Sequence, residues 1–336
     1  MTAITLVTGG AGFVGRALVS ALLSEKEEVR VLDVNPASLS GLDVEVIRGS
    51  VTDPEMCAAA LAPTHSGHVT SVFHLAGNAQ LWARDDSVFE RVNFGGTQTM
   101  LAAARRAKVT TFVHCSSLTT LVGRSTPIGP STADETMLKP VADMLGPYPR
   151  SKWRADEVAI ASSDETMAVK VAIPTEPLGA GDEGLTPPSQ MMVDFINGKT
   201  PAYIDCILNF VPVTGLARGL IAVRNRGRAG ARYLLGGENQ SLEAILTKLE
   251  ARTGQKMPTL KMPYAIALLA GFVDTKIVSA VTGRPPKAPF TGVRLAGRQV
   301  SFVSENAQRT LGWQAGSFDQ ALDAFLTWAR DAGHIR

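Results

Sequence analysis

The chain is short of cysteine, of charge imbalance and of long apolar runs, and each shortage argues against a class of protein. Its 336 residues hold three cysteines, Cys57, Cys115 and Cys206, with no CxxC or Cys/His spacing. That scatter argues against a disulfide framework and against structural zinc. It predicts no metal and fits a reducing, cytoplasmic compartment. The formal net charge is only +2, so neither nucleic acid nor an anionic membrane is expected as the main partner. The N-terminus, MTAITLVTGG, shows no basic leader and no long apolar core, and no signal peptide is read in it. The most apolar stretch, Tyr264–Val273, is broken by Asp274 and Lys276 and is too short to span a bilayer. Two readings fit it. One is a packed or substrate-covering helix. The other is a helix that makes peripheral contact with a membrane or lines an apolar channel.

What is present is alternation. Hydrophobic residues make up 45% of the chain, enough for a large core in one or two domains. AITLVTGG, EVRVLDV, DVEVIRG, SVFHLAG, TTFVHCSS and TMAVKVAI read as six strands, and RYLLGG as another. Helical patterns at GFVGRALVSALLS, Pro54–Leu61, Ser87–Ala107 and Tyr148–Ser162 separate most of them. Strands alternating with helices predict an α/β fold, a Rossmann-type doubly wound parallel sheet. After residue 174 the rhythm changes. PTEPLGAGDEGLTPPSQ reads as a loop, followed by helices at Leu242–Arg252, Pro263–Val281 and Phe318–Ala332. The expected organisation is a nucleotide-binding domain over 1–174, with a returning segment at 207–236. A smaller substrate-binding region covers 175–206 and 237–336.

TGGAGFVG sets Gly9, Gly12 and Gly15 between the first strand and the first helix, around Phe13 and Val14. Glycines there let the backbone approach a pyrophosphate, and the helix N-terminus adds amide donors and a positive dipole. Asp33 ends the second strand, 18 residues past Gly15. A carboxylate at that place binds the adenosine ribose 2′-hydroxyl and repels a 2′-phosphate. No Lys or Arg occurs from Val34 to Ile47, so NAD is predicted over NADP.

In GPYPRSKW, Tyr148 and Lys152 stand four apart and share one helix face. An ammonium beside a phenol favours phenolate, which suits the phenol to take a proton from a secondary alcohol or return it to an alkoxide. Ser116 and Ser117 lie at the carboxyl end of the fifth strand, where ligands of such sheets bind, and supply a hydroxyl to orient the substrate oxygen. The pair alone is weak. Its placement after the fifth strand, behind the glycine loop, strengthens it.

TGGAGFVG, HLAG, VNFGGT, CSS and YPRSK follow the order and spacing of the extended short-chain dehydrogenase/reductases, and the resemblance runs on to the closing SENAQRTLGW. LWARDDSVFERVNFGGT, GKTPAYIDCILNFVPV and RYLLGGEN are similar to a hopanoid-associated sugar-epimerase branch near the dihydroflavonol-4-reductase-like enzymes. The resemblance implies a catalytic triad of Ser117, Tyr148 and Lys152, with Ser117 chosen over Ser116, and Asn93 in support. It implies that Ser50 and Val51 meet adenine. Leu75, Ala76 and Gly77 would pass the cofactor, and Pro174 and Thr175 would lie beside the nicotinamide. It also implies a homodimer through the helices at Ser87–Ala107 and Tyr148–Ser162.

Other residues carry blander readings. His74 and His114 read as packed strand histidines, and Asp134 with Glu135 as a solvated loop. Trp82, near Arg84, reads either as a substrate contact or as a helix-packing anchor. Glu176 reads either as a partner for a polar substrate group or as a solvent-facing charge. Three functions compete. An NAD-dependent oxidoreductase would interconvert a secondary alcohol and a ketone on an apolar or mixed small molecule, terpenoid, sterol or aromatic. A nucleotide-sugar epimerase would keep NAD bound. A non-catalytic member would only bind cofactor. Dehydratases of the resembled family carry Asp-Glu after the hydroxyl residue, where this chain has LTT. Its nucleotide-sugar members usually have asparagine at the position of Ile173. Arg232, Arg294 and Arg298 keep a diphosphate possible. The oxidoreductase is the preferred reading.

Overall fold

A computed structural model describes residues 2–65 and 67–335. In chain order the first half runs β1 (Thr2–Thr8), α1 (Phe13–Ser24), β2 (Glu28–Asp33), β3 (Glu45–Arg48), α2 (Pro54–Leu61) and β4 (Gly67–His74). One long helix follows in three parts: α3 (Ser87–Phe89), a π-helical stretch Glu90–Gly95, and α4 (Gly96–Arg106). Then come β5 (Thr111–Cys115), β6 (Ser131–Ala133), α5 (Pro147–Ala161) and β7 (Ala168–Pro174).

The strands that read as continuous apolar runs form one seven-stranded parallel sheet in the order β11-β7-β5-β4-β1-β2-β3, where β11 is Arg232–Leu235. Runs of that kind are what a parallel sheet covered on both faces requires. One face packs Met100, Ala104 and Ala159 from α4 and α5. The other packs Leu18 and Leu22 from α1 with Leu216 and Leu220 from α7 (Val213–Arg226). The expectation of a doubly wound sheet is met. From β1 the chain winds outward to β2 and β3; from β4 it winds the other way. The crevice between the ends of β1 and β4 is thus the topological switch point, where such sheets bind ligands.

The second half adds β8 (Glu176–Leu178), α6 (Pro187–Ile196), β9 (Ala202–Tyr203), β10 (Ile207–Pro212), β12 (Glu238–Ser241) and α8 (Leu242–Thr253). The remainder is β13 (Leu260–Lys261), α9 (Tyr264–Val273), a π-helical stretch Asp274–Val278, α10 (Ser279–Thr282), α11 (Phe290–Ala296), β14 (Val300–Phe302), α12 (Glu305–Leu311) and α13 (Phe318–Asp331). A small sheet β12-β10-β8 shares a separate core with α6, α8 and α13. So β10, inside the expected returning segment 207–236, pairs in the small sheet, while α7 and β11 join the large one.

Three sequence expectations need correction. The stretch 174–190 is no plain loop: β8 pairs with β10, and Pro187 and Pro188 open α6 at its first positions, where proline is pre-set for a helix start. Glu135 is not solvated; it is buried and accepts a hydrogen bond from Asn306 Nδ2 at 2.6 Å. The helix expected over Pro263–Val281 is met, from Tyr264 to Thr282, but as a whole it is long and apolar enough to cross a bilayer, which Tyr264–Val273 alone is not. Only 17% of its apolar window is buried, so it is far from a packed core helix.

Candidate active site

Two loop ends form the base of the crevice. Gly9 has φ +72° and lies so close to the β4 end that a Cβ there would meet the Ala76 nitrogen at 2.7 Å. A Cβ on Gly15 would meet the Gly9 carbonyl oxygen at 2.1 Å. Only glycine lets the loop and the first turn of α1 approach this closely. Helix α1 has no side-chain cap and no acidic residue in its first turn. The amides around Phe13 and Val14 are thus left for an external anion. The bare cradle and uncapped helix fit a dinucleotide. Asp33 closes one side of the loop: Oδ2 accepts the Ala11 amide at 3.0 Å and Oδ1 the Asn35 amide at 2.9 Å.

Leu75 and Ala76 leave β4 tied to Thr8, the Leu75 amide to its carbonyl and the Ala76 amide to its hydroxyl. Gly77 faces Asn93, whose Oδ1 would lie 3.0 Å from a Cβ there. Val51 turns its side chain into the core against Gly96, so any ligand reaches only its backbone. Ser50 hydrogen-bonds Thr52 at 2.8 Å beside it. Pro174 ends β7, and the next residue, Thr175, buries a hydroxyl with no partner. An orphaned hydroxyl at the end of a central strand is a ready partner for a bound amide or ribose.

Helix α5 carries the chemistry-bearing face. Tyr148 and Lys152 are both buried, and Tyr148 meets Phe89 edge to face at 6.0 Å. Lys152 Nζ donates to the Cys115 carbonyl at 2.5 Å. Burial pushes the Tyr148 phenol up to about 12, while hydrogen bonding with Ser117 pulls the other way. Burial lowers Lys152 from its ordinary value, and Cys115 and Asp156 oppose that shift. Ser117 is buried too, and its Oγ accepts from the Thr119 hydroxyl at 3.1 Å.

Ser116 and Ser117 point apart, as neighbours in extended chain must. Ser116 Oγ donates to Asp156 Oδ2 at 2.5 Å, so its hydroxyl hydrogen is already engaged, which favours Ser117 as the group that meets substrate. Asp156 itself was missed in the sequence, though its spacing was legible. It stands four residues beyond Lys152 and shares its face. Its other oxygen meets His114 Nε2 at 3.1 Å. His74 is held by Thr8 at 2.8 Å and Thr97 at 3.1 Å, and burial keeps it well below its ordinary pKa, hence neutral. Both histidines are packed, as read.

Asn93 sits in the π-helical stretch, a feature often found at functional sites. Its Oδ1 accepts the Asn78 amide at 2.7 Å; its Nδ2 donates to the Asn78 carbonyl and to Ser151 Oγ, each at 3.0 Å. It thus ties the loop after β4 to α5, one residue from Lys152.

The second half roofs this end. Arg294 on α11 donates to the Leu145 carbonyl at 2.7 Å, and Thr291 lies against Gly146, two residues before Tyr148. Leu81 meets α11 at Gly292, and Arg84 reaches Gly283. Trp82 lies half-buried between them in a loop. Glu176 is half-buried and accepts the Asn209 amide at 3.0 Å; burial raises its carboxyl to about 7. It is not a free solvent-facing charge. Ile173 is fully buried. Arg232 pairs with Glu157 at 2.6 Å on the outer edge of the sheet. Among the described residues, no cluster suited to a metal occurs.

A glycine cradle at the switch point, with a buried tyrosine and lysine on the next long helix, defines an NAD(P)-dependent enzyme of the extended short-chain dehydrogenase/reductase type. The chain belongs to the NAD dependent epimerase/dehydratase family, which it matches over residues 5–233. It is 29% identical over 337 residues to a putative dihydroflavonol 4-reductase of Synechocystis sp., covering 98% of this chain and 95% of the relative. It is also 29% identical over 340 residues to sterol demethylase protein B of Methylococcus capsulatus, covering 98% and 99%. The crystal structure of gox2253 superimposes with TM-score 0.85 at 28% identity, covering 99% of each chain.

Proposed function

We propose that the protein is an NAD-dependent oxidoreductase that interconverts a secondary alcohol and a ketone on an apolar or mixed small molecule. The observation that carries this reading is the burial of Tyr148 beside Ser117, with Lys152 on the same helix face. In the direction of ketone reduction, Tyr148 gives its phenolic proton to the substrate oxygen. In alcohol oxidation it takes that proton back. The Ser117 hydroxyl orients the same oxygen. Lys152, one turn along the same helix face, would supply a positive charge that favours phenolate when it forms. Asn93 holds the loop and helix in register. The cradle from Gly9 to Gly15, with Phe13, Val14, Ser50, Val51, Leu75, Ala76, Gly77, Pro174 and Thr175, would hold the cofactor, which supplies or accepts the hydride. Asp33 would select NAD over NADP by refusing a 2′-phosphate.

The apolar substrate class is supported by the roof of α9 to α11 and by sterol demethylase protein B among the relatives. Trp82, half-buried in the loop beside Leu81, is the aromatic side chain we expect to meet it. One observation favours the second reading, a nucleotide-sugar epimerase. Arg294 and Arg298 lie close together with no carboxylate partner among the described residues, and buried Arg298 Nε has none at all. Such a pair suits an anionic substrate group. We also infer a homodimer through the α3–α4 helix and α5, checked by light scattering.

The test is a paired assay. Release of free NADH on incubation with NAD and secondary alcohols of terpenoid, sterol or aromatic type supports the oxidoreductase. Turnover of a UDP- or GDP-sugar with no net NADH overturns it. The raised phenol fixes the sign of the pH dependence. Below about 12 Tyr148 is protonated, so alcohol oxidation should climb as pH rises from neutral. Ketone reduction should not climb. A pH-independent oxidation rate would contradict Tyr148 as the base.

A further inference from the structure

We propose that the outer face of the helical segment Tyr264–Thr282 docks on an anionic lipid bilayer, lying in the interface without crossing it. The segment has 19 residues and a mean hydropathy of 1.6. Ile266, Leu269, Val273, Ile277 and Val281 recur at three- and four-residue steps along it, and all are exposed, Val281 to 83% and Leu269 to 65%. One side of the helix is thus a continuous apolar stripe facing out. Single exposed leucines are ordinary; a stripe of this length marks a surface that some apolar phase covers.

The charge around the stripe says which phase. From 264 to 290 the basic residues are Lys276, Arg284 and Lys287, all exposed, and Asp274 is the sole acid. Asp274 is turned inward: its Oδ2 accepts the amides of Lys287 at 2.7 Å and Ala288 at 3.4 Å. The outward face is therefore apolar with a purely basic rim. That combination matches an anionic leaflet, where aliphatic side chains enter the acyl boundary and Lys and Arg meet headgroups. A protein groove would need a continuous acidic rim of its own to match, and failure to bind vesicles would point there.

The inner side decides orientation. Phe272 stacks edge to face on Phe290 at 5.5 Å, and the Phe290 amide donates to Thr275 Oγ1 at 2.9 Å. A Cβ on Gly271 would come within 3.0 Å of Val293. The helix is fastened to α11 through Gly271, Phe272 and Thr275, which holds it along the domain surface and opposes spanning. It lies flat, with α11 and then Gly146 behind it. On the apolar-substrate reading, this arrangement sets the roof of the site against a lipid phase. The docking itself does not depend on that reading, since vesicle binding is measured without turnover.

The experiment is co-sedimentation of the full chain with vesicles of phosphatidylcholine alone and with roughly one quarter phosphatidylglycerol. The wild type should partition to the anionic vesicles, less so in high salt. The double variant Leu269→Glu/Ile277→Glu should bind at least about tenfold more weakly. Lys276→Glu and Arg284→Glu should each cost roughly fivefold on anionic vesicles only. Retained NAD binding shows that each variant is folded. A Val281→Trp reporter should shift its fluorescence to the blue on vesicle addition. The proposal is overturned if the wild type stays in the supernatant with both vesicles, or if the double variant binds as the wild type does. It is equally overturned if the double variant abolishes self-association while neither protein binds lipid.

Discussion

The two walls that face each other at the carboxyl edge of the sheet are built on opposite rules. The floor, from Gly9 to Gly15 and from Leu75 to Gly77, is backbone against backbone, with gaps too small for one methyl group. Its polar atoms are tied into a buried net through Thr8, His74, Asn93 and Asp156. The roof, Tyr264 to Ala296, is side chain against little, with much of its apolar surface turned outward. The difference separates two tasks. Chemistry on a common cofactor needs groups fixed to fractions of an ångström. On the proposals above, choice of substrate, and of the phase it comes from, would fall to a surface that tolerates change.

The largest expected effect tests the floor. Tyr148→Phe should lower kcat by about 10²- to 10⁴-fold, while NAD binding and folding persist. The phenol oxygen makes no contact that the scaffold relies on, since the ring's packing on Phe89 survives the change. Stopped-flow turnover with fluorescence titration of NAD checks both halves. An active Tyr148→Phe enzyme would move the chemistry out of the floor altogether.

Next is Gly9→Ala. The positive φ alone costs an alanine about 1–3 kcal/mol, and the methyl would sit 2.7 Å from the Ala76 nitrogen. We expect NAD affinity to drop more than about tenfold, with a lower melting temperature. Calorimetry of NAD binding measures it. Unchanged affinity would mean that the cradle is looser than its contacts imply.

These residues were legible in the sequence because each is fixed by short-range geometry. A positive φ calls for glycine, and a four-residue spacing puts Tyr148 and Lys152 on one face. Asp156 obeyed the same rule and was overlooked, because its partners His114 and Ser116 come from another strand. Ser116 and Ser117 could not be told apart by type; only their alternation in extended chain sends one to Asp156 and the other toward the phenol. The strand β8 and the start of α6 were hidden by their prolines and glycines, since the pairing with β10 joins residues more than thirty positions apart. The extent of the roof helix was legible, but its apolar face was cut off at Val273 for a different reason. Asp274 and Lys276 break the hydropathy pattern, yet the helix absorbs them through a π-helical stretch, with Asp274 bonded inward.

A smaller effect separates the cofactors. Asp33→Ala should narrow the NAD preference by roughly tenfold in kcat/KM, because the change removes the charge that opposes a 2′-phosphate. Asp33 also braces the Ala11 and Asn35 amides, so Asp33→Asn is the sharper variant. It removes the charge and keeps an acceptor for one of the two amides, leaving the other opposite its own NH2, so it disturbs the loop less than alanine does. Steady-state kinetics with both cofactors decides. If the wild type used NADP more efficiently, the assignment to Asp33 would fail.

The smallest effect comes from the roof. Leu269→Ser removes a large apolar side chain, and in a core that would cost several kcal/mol, as Leu6→Ala at a fully buried position of β1 should, at about 2–5 kcal/mol. Leu269 is 65% exposed, so the expected change in unfolding free energy is within about 0.5 kcal/mol. Urea denaturation in the absence of lipid measures it. A loss as large as that of Leu6→Ala would show that the stripe is covered in solution, by a second copy or by closure of the roof. The contrast between the walls would then be a property of the isolated chain alone. A null effect, with Tyr148→Phe inactive, would leave the two walls as separable parts: one sets the reaction, and the other can be rewritten without cost to the fold.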